Sequence, residues 1–292
     1  MNALESLLTQ NLYLLADGAM GTMLMSAGLG HGEAPERWNL SHPDQVRAVH
    51  RNYIQAGSQI ILTNSFGGSR FRLKLHDLQD RVSELNRVAA ALARAEADAA
   101  PHPVAVAGSI GPSGELFEPM GLLNFDEARD GFAEQAAALV EGGVDALWIE
   151  TMSDLQEAKA AVEGAQKGCQ LPIFCTFSFD AHGHTSMGVS PAQAAQTMAD
   201  IGVPATGANC GQAPEDLLDL LPQMRAAAPD AYLIAKPNAG VPRMVNREVV
   251  YDATPERMGE LAQRYVELGA RIVGGCCGST PAHIAAIAAA LQ

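Results

Sequence analysis

No lysine or arginine precedes Arg37, so the chain lacks the basic start expected of a secretory signal. Nor does any apolar run approach the roughly 20 residues needed to cross a bilayer, so no membrane span is expected. Basic residues are scarce throughout: 19 Lys and Arg face 33 Asp and Glu, for a formal net charge of −14. Such a surface should repel nucleic acid and anionic membranes. Paired Cys-x-x-Cys knuckles are missing, which argues against a structural zinc ribbon. Five cysteines, an odd number in a long chain, argue against a disulfide framework and for a reducing cytoplasm. No low-complexity linker or charge block divides the chain, so residues 1–292 are expected to form one domain. Nothing fixes or forbids a homo-oligomer, which stays an open expectation.

What remains is a regular alternation. With 292 residues, 48% of them hydrophobic, the chain can bury a large core. Short apolar runs predict strands at 12–17, 59–64, 104–109, 145–150, 172–177, 205–210, 231–236 and 271–275. Amphipathic, alanine-rich segments predict helices at 43–56, 80–99, 126–141, 154–167, 191–201, 214–228, 254–268 and from Thr280-Pro281 onward. Eight strand–helix units without hairpin signals predict an α/β fold, a (β/α)8 TIM barrel. An open doubly wound sheet is the alternative, disfavoured because no Gly-x-Gly-x-x-Gly follows the first strand. Asp17, Asn64, Ser109, Glu150, Ser178, Cys210, Lys236 and Cys276 fall at or just after predicted strand ends. In a barrel that end is the active-site face.

Two cysteine motifs stand out there: Gly207-Ala208-Asn209-Cys210-Gly211 and Gly274-Gly275-Cys276-Cys277-Gly278. Glycine neighbours let backbone and ligand approach closely. Three thiolates from two strand ends would make a soft site suited to Zn2+, with one position left for substrate. Other readings stay open: each cysteine as a small buried hydrophobe, or a strained vicinal disulfide between Cys276 and Cys277. Cys175 alternates with Ile173 and Phe177 and reads as core. Cys169 reads as a loop thiol, and His182 and His184 as a surface loop. A thiolate-rich zinc suits alkylation of a bound thiol better than hydrolysis, because thiolate is the reactive form of sulfur. The electrophile would then be a methyl donor.

With Asp17-Gly18-Ala19-Met20-Gly21-Thr22, Thr63-Asn64-Ser65-Phe66 and Gly108-Ser109-Ile110-Gly111-Pro112, these motifs resemble the homocysteine S-methyltransferase family over nearly the whole chain. The resemblance implies a zinc-bearing (β/α)8 barrel that methylates homocysteine to methionine, with Cys210, Cys276 and Cys277 as zinc ligands. It also implies that Asp17 and Glu150 hold the amino-acid part of homocysteine. Carboxylates can pair with the substrate ammonium, and backbone N–H groups near Gly18 and Gly21 can take its carboxylate. Thr22, Asn64 and Ser109 complete the expected substrate pocket.

Family members differ in donor. Gly32-Glu33-Ala34-Pro35-Glu36, Phe66-Gly67-Gly68 and Arg72-Leu73-Lys74-Leu75-His76 are similar to short bacterial betaine–homocysteine methyltransferases. That similarity implies glycine betaine as donor and dimethylglycine as co-product. Gly67-Gly68 departs from the animal betaine enzymes, which carry a tyrosine there. An onium donor needs aromatic faces, for which Trp38, Phe66 and Trp148 are the candidates, with Phe71 and Phe117 behind them. The alternatives are a homocysteine-activating subunit of a split cobalamin-dependent methionine synthase, an S-methylmethionine- or dimethylsulfoniopropionate-dependent enzyme, and a non-catalytic zinc-binding or redox-sensing barrel. Gly28, Gly30 and Gly32 suggest a mobile cover after the first strand.

Overall fold

Continuous apolar runs suit strands that are covered on both faces. The computed structural model describes residues 3–211, 213–245 and 248–292. Its strands are β1 (Leu14–Leu15), β2 (Ile60–Leu62), β3 (Ala105–Ile110), β4 (Ala146–Met152), β5 (Ile173–Phe177), β6 (Ala205–Cys210) and β7 (Tyr232–Pro237). They are followed by β8 (Arg243–Val245), β9 (Glu248–Val250) and β10 (Ala270–Val273). Eight of them form one parallel sheet in the order β1-β10-β7-β6-β5-β4-β3-β2. An Ala16–Ile60 bridge joins the outer strands, with Gln59 N–H donating to the Leu15 carbonyl at 2.7 Å. The sheet therefore closes into the expected (β/α)8 barrel.

Eight helices ring it: Pro43–Gln55, Val82–Asp98, Phe125–Glu141, Leu155–Gly168, Pro191–Asp200, Leu217–Ala227, Pro255–Glu267 and Pro281–Ala290. Their starts are set by side chains that satisfy first-turn amides. Asn124 accepts from Glu127 N–H, Asp154 from Gln156 N–H, and Thr254 from Arg257 N–H; Ser190 and Gln193 form a capping box.

Two apolar layers result. The outer one lies between helices and strands. The inner one fills the barrel axis and includes Leu14, Ile60, Trp148, Phe174, Ile234 and Ile272. A ninth long segment completes it: the helix Ala3–Gln10, which the sequence pattern did not disclose, inserts Leu4 and Leu7 into the same interior cluster. Arg271 secures that helix by donating to the carbonyls of Leu8 and Asn11 at 3.1 and 3.0 Å.

The structure corrects three expectations. The first strand is short, and Leu12 is 84% exposed rather than part of it. Strand β4 runs past Glu150 to Met152, its register shifting between Ile149 and Met152, where Thr151 adopts φ +64°. The pair β8–β9 is an antiparallel ladder where no hairpin was expected. Its two strands are three residues each, and the residues linking them carry no Asn-Gly or Asp-Gly signal.

Gly207 lies where β6 approaches β7. A Cβ there would overlap the Ile234 carbonyl oxygen, a backbone atom that cannot retreat. Gly207→Ala is expected to cost about 3 kcal/mol or more, seen as a lowered urea midpoint at unchanged slope.

Candidate metal centre

Cys210 ends β6 in a backbone conformation that few side chains accept. Its φ is +62°, and Gly211 follows at φ +85°. Left-handed backbone costs a non-glycine residue on the order of 1–2 kcal/mol, so the turn is kept by its surroundings. The partner thiols follow β10. Cys276 N–H donates to Pro237 at 2.7 Å, and Ala239 N–H donates to Cys277 at 2.9 Å, which ties their loop to the end of β7. The Ser279 hydroxyl donates to the Cys276 carbonyl at 2.6 Å and accepts from Ala19 N–H at 3.1 Å. Tyr53, from the helix behind, donates to the carbonyls of Ala19 and Ser279. A Cβ on Gly18 would lie 2.7 Å from the Ser279 hydroxyl and 2.8 Å from Tyr53. Only glycine lets the Asp17 loop and the cysteine loop meet here.

The result is a trio. The Sγ atoms of Cys210, Cys276 and Cys277 all lie within 4.8 Å of one another and are half-buried. All five cysteines are free thiols, so the vicinal disulfide is not what the structure contains. Hydrogen bonds from Cys276 and Cys277 lower the pKa of Cys210, while ionisation of Cys276 is opposed by Cys210 and that of Cys277 by both Cys210 and Cys276. One thiolate is thus favoured and further negative charge is resisted until a cation arrives. Asn209 braces the group: its amide bonds Thr151 at 2.9 and 2.7 Å and reaches Cys276 Sγ at 3.8 Å. Cys175 is core as expected, its thiol pushed up by burial.

Beneath the thiols lies a charged layer. Lys236 Nζ meets Asp17 Oδ1 at 2.8 Å, each side chain 3% exposed, and stands 5.1 Å from the Trp148 ring centroid. Asp17 Oδ2 accepts Leu62 N–H at 2.7 Å. Burial pushes Asp17 up, held back by Lys236. Burial alone would push Lys236 down, but Asp17 and Glu150 overcome it and raise its pKa. Glu150 accepts from Ser109 Oγ at 2.5 Å. Burial lifts it to about 7, with Cys276 and Asp17 adding to the rise and Lys236 opposing it.

The other expected site residues divide. Glu150, Ser109 and Asp17 share this layer, but both Asp17 oxygens already have protein partners. Gly21 and Thr22 open the helix Gly21–Ser26, whose N-cap Met20 offers no side-chain acceptor, so its first-turn amides are open to another acceptor. Asn64 donates through its amide to Pro35 and Asn39, which holds a loop. Trp148 is fully buried in the barrel axis, where its ring already carries Lys236. Trp38 is buried and stacked on His42 at 4.3 Å. Phe66 alone of the three aromatics is open, 38% exposed, beside Gly111.

Sequence reasoning placed Lys236 at a strand end without giving it a role; a lysine closing an apolar strand was the available signal. Tyr251, whose ring packs on Gly278 beside Cys277, gave no signal at all. Among the described residues, eleven of twelve large exposed apolar side chains follow barrel strands on this face; Leu12 is the exception. None of the described helices is long and apolar enough to cross a membrane.

Comparison with known proteins gives the same direction. Residues 14–291 match the family model for homocysteine S-methyltransferase. A methionine synthase of Mycobacterium tuberculosis is 34% identical over 95% of this chain, but this chain spans only 24% of that relative. The solved homocysteine methyltransferase MmuM of Escherichia coli, in its metallated form, superposes with a TM-score of 0.84 at 26% identity, covering 99% of both chains. A type I 3-dehydroquinate dehydratase from Clostridium difficile, at 10% identity and TM-score 0.53 over 96% of this chain and 92% of its own, shares the fold.

Because the Glu150 pKa rises from 4.5 to about 7 on folding, its ionisation costs stability as pH climbs through that window. Metal-free Glu150→Gln should exceed the parent by roughly 2–3 kcal/mol near pH 8. The gap should close toward pH 4.5, as urea titrations at both ends would show.

Proposed function

The chain belongs to the homocysteine S-methyltransferase family, and from this we propose that it transfers a methyl group from glycine betaine to homocysteine, giving methionine and dimethylglycine. The observation that carries the reading is the meeting of three thiols, drawn from two distant strand ends, at the mouth of the barrel. Three sulfurs this close form a soft donor set that fits Zn2+ and leaves a position free. Cys210, Cys276 and Cys277 would hold the ion. Bound zinc would supply a Lewis acid that keeps the substrate sulfur as thiolate near neutral pH.

The chain's own residues do the rest. Glu150 takes the substrate ammonium, whose charge draws the carboxyl back to its ionised form. Asp17 acts through Lys236, fixing the charged floor under the substrate. First-turn amides of the helix Gly21–Ser26, with Thr22, take the substrate carboxylate. Ser109 orients Glu150. Phe66 offers the onium group its face, and the apolar rim removes water from two oppositely charged reactants. The methyl carbon is attacked in line, and dimethylglycine leaves with the electron pair of the broken C–N bond. No residue needs to act as a base at that carbon. Free thiols require a reducing compartment, so we place the enzyme in the cytoplasm.

One observation favours a second reading. The chain spans about a quarter of the length of the mycobacterial methionine synthases it matches. A partner chain carrying a corrinoid could then supply the methyl group. The match to MmuM, by contrast, covers 99% of both chains, so a homocysteine methyltransferase of this length also exists. Purified protein assayed with homocysteine and betaine, S-methylmethionine, dimethylsulfoniopropionate or methylcobalamin separates these. Methionine from betaine is expected; turnover only with methylcobalamin would move the assignment to the second reading.

Cys210→Ser, Cys276→Ser and Cys277→Ser should each lower zinc affinity and cut the rate by roughly a thousandfold or more, as metal analysis and initial rates would show. Zinc-edge spectroscopy of the parent should register one added sulfur neighbour when homocysteine binds.

A further inference from the structure

Tyr251 belongs to none of the motifs that mark the site, yet it touches the centre. It follows β9, and the base of the β8–β9 pair stands on the cysteine loop. Ala239 N–H donates to the Cys277 carbonyl, and Ala253 N–H donates to the Ala239 carbonyl, both at 2.9 Å. Arg243 and Asp252 form an ion pair across the same base. The Tyr251 ring lies over the α-carbon of Gly278, so close that any Cβ there would overlap the ring carbons and the tyrosine Cβ. Burial raises the pKa of its hydroxyl, and the neighbouring Cys277 sulfur adds to the rise. Glycine at 278, at φ +78°, therefore makes room for this ring as well as for the turn.

We propose that Tyr251 is a positioning residue for Cys277: its hydroxyl donates to the Cys277 sulfur while its ring pins the Cys277–Gly278 peptide, so that the third thiol points at the other two. Cys210 and Cys276 have their own supports, in the strained end of β6 and in Asn209. Cys277 has no other side-chain partner outside the trio among the described residues. A donor aimed at a ligand sulfur fixes its direction and spreads the charge of an anionic metal site, and loss of such a donor typically costs 10- to 100-fold in metal affinity.

The inference rests on the three-thiol centre of the proposed function and is independent of the methyl donor. Tyr251→Phe removes only the hydroxyl, and Tyr251→Leu removes the ring as well. Zinc release to a chromophoric chelator should quicken about tenfold in Tyr251→Phe, at an unchanged melting temperature, and further in Tyr251→Leu. In metal-free protein, iodoacetamide should label Cys277 faster in both variants while Cys276 keeps its parental rate, as mapped by peptide mass spectrometry. Leu12→Ser, away from this face, should behave as the parent in both assays. Parental zinc release and parental Cys277 labelling in Tyr251→Phe would overturn the proposal. A parent that binds zinc yet transfers no methyl group would sink the proposed reaction and leave this inference standing. A parent that binds no zinc would sink the metal reading, and the labelling rates would still decide on Tyr251.

Discussion

An ammonium shut inside a barrel must find negative charge, and Lys236 finds it in Asp17 at 2.8 Å. This pair links β7 to the loop after β1 across the mouth. Because Asp17 also accepts Leu62 N–H, the same carboxylate helps hold the junction where the barrel closes. Glu150 and the thiols then leave the chamber short of positive charge: two carboxylates and three sulfurs face one lysine. Breaking such a pair from one side strands a buried charge, which commonly costs 3–5 kcal/mol. On the proposed reading, the same shortage is what would draw a dication and a substrate ammonium into the chamber. Architecture and chemistry thus share one electrostatic cause.

Close approach is the second constraint, and glycine enforces it. Gly18 leaves room for Tyr53 and Ser279, Gly275 for Ser279, and Gly278 for Tyr251. Each absent side chain is filled by a neighbour that positions a thiol or its loop. The motif glycines therefore act as shape as much as flexibility.

Much of this was readable from the residues alone. The barrel strands announced themselves because burial on both faces demands continuous apolar runs, and the three cysteines did so because thiols among glycines are poor packing units. Ser109 and Glu150 followed from their place at strand ends. What escaped was tertiary. The left-handed backbone at Cys210 comes from the loops around it and from no local propensity. The β4 irregularity at Thr151 is stabilised by Asn209, 58 residues away. Trp148 reads equally well as a cage or a core ring until the barrel closes round it. Asn64 looks like a pocket residue by position, and only the folded loop reveals that its amide bonds Pro35 and Asn39.

The helix Ala3–Gln10 gives the site an unexpected dependence on the far end of the barrel. Its Leu4 and Leu7 act as a stopper under the axis in which Trp148 stands, and Lys236 rests on that indole. Were the stopper drawn, water would climb the axis and raise the local permittivity beneath the ion pair, weakening an attraction that depends on dryness. The thermodynamics of the barrel mouth are therefore guarded partly from the opposite pole of the molecule.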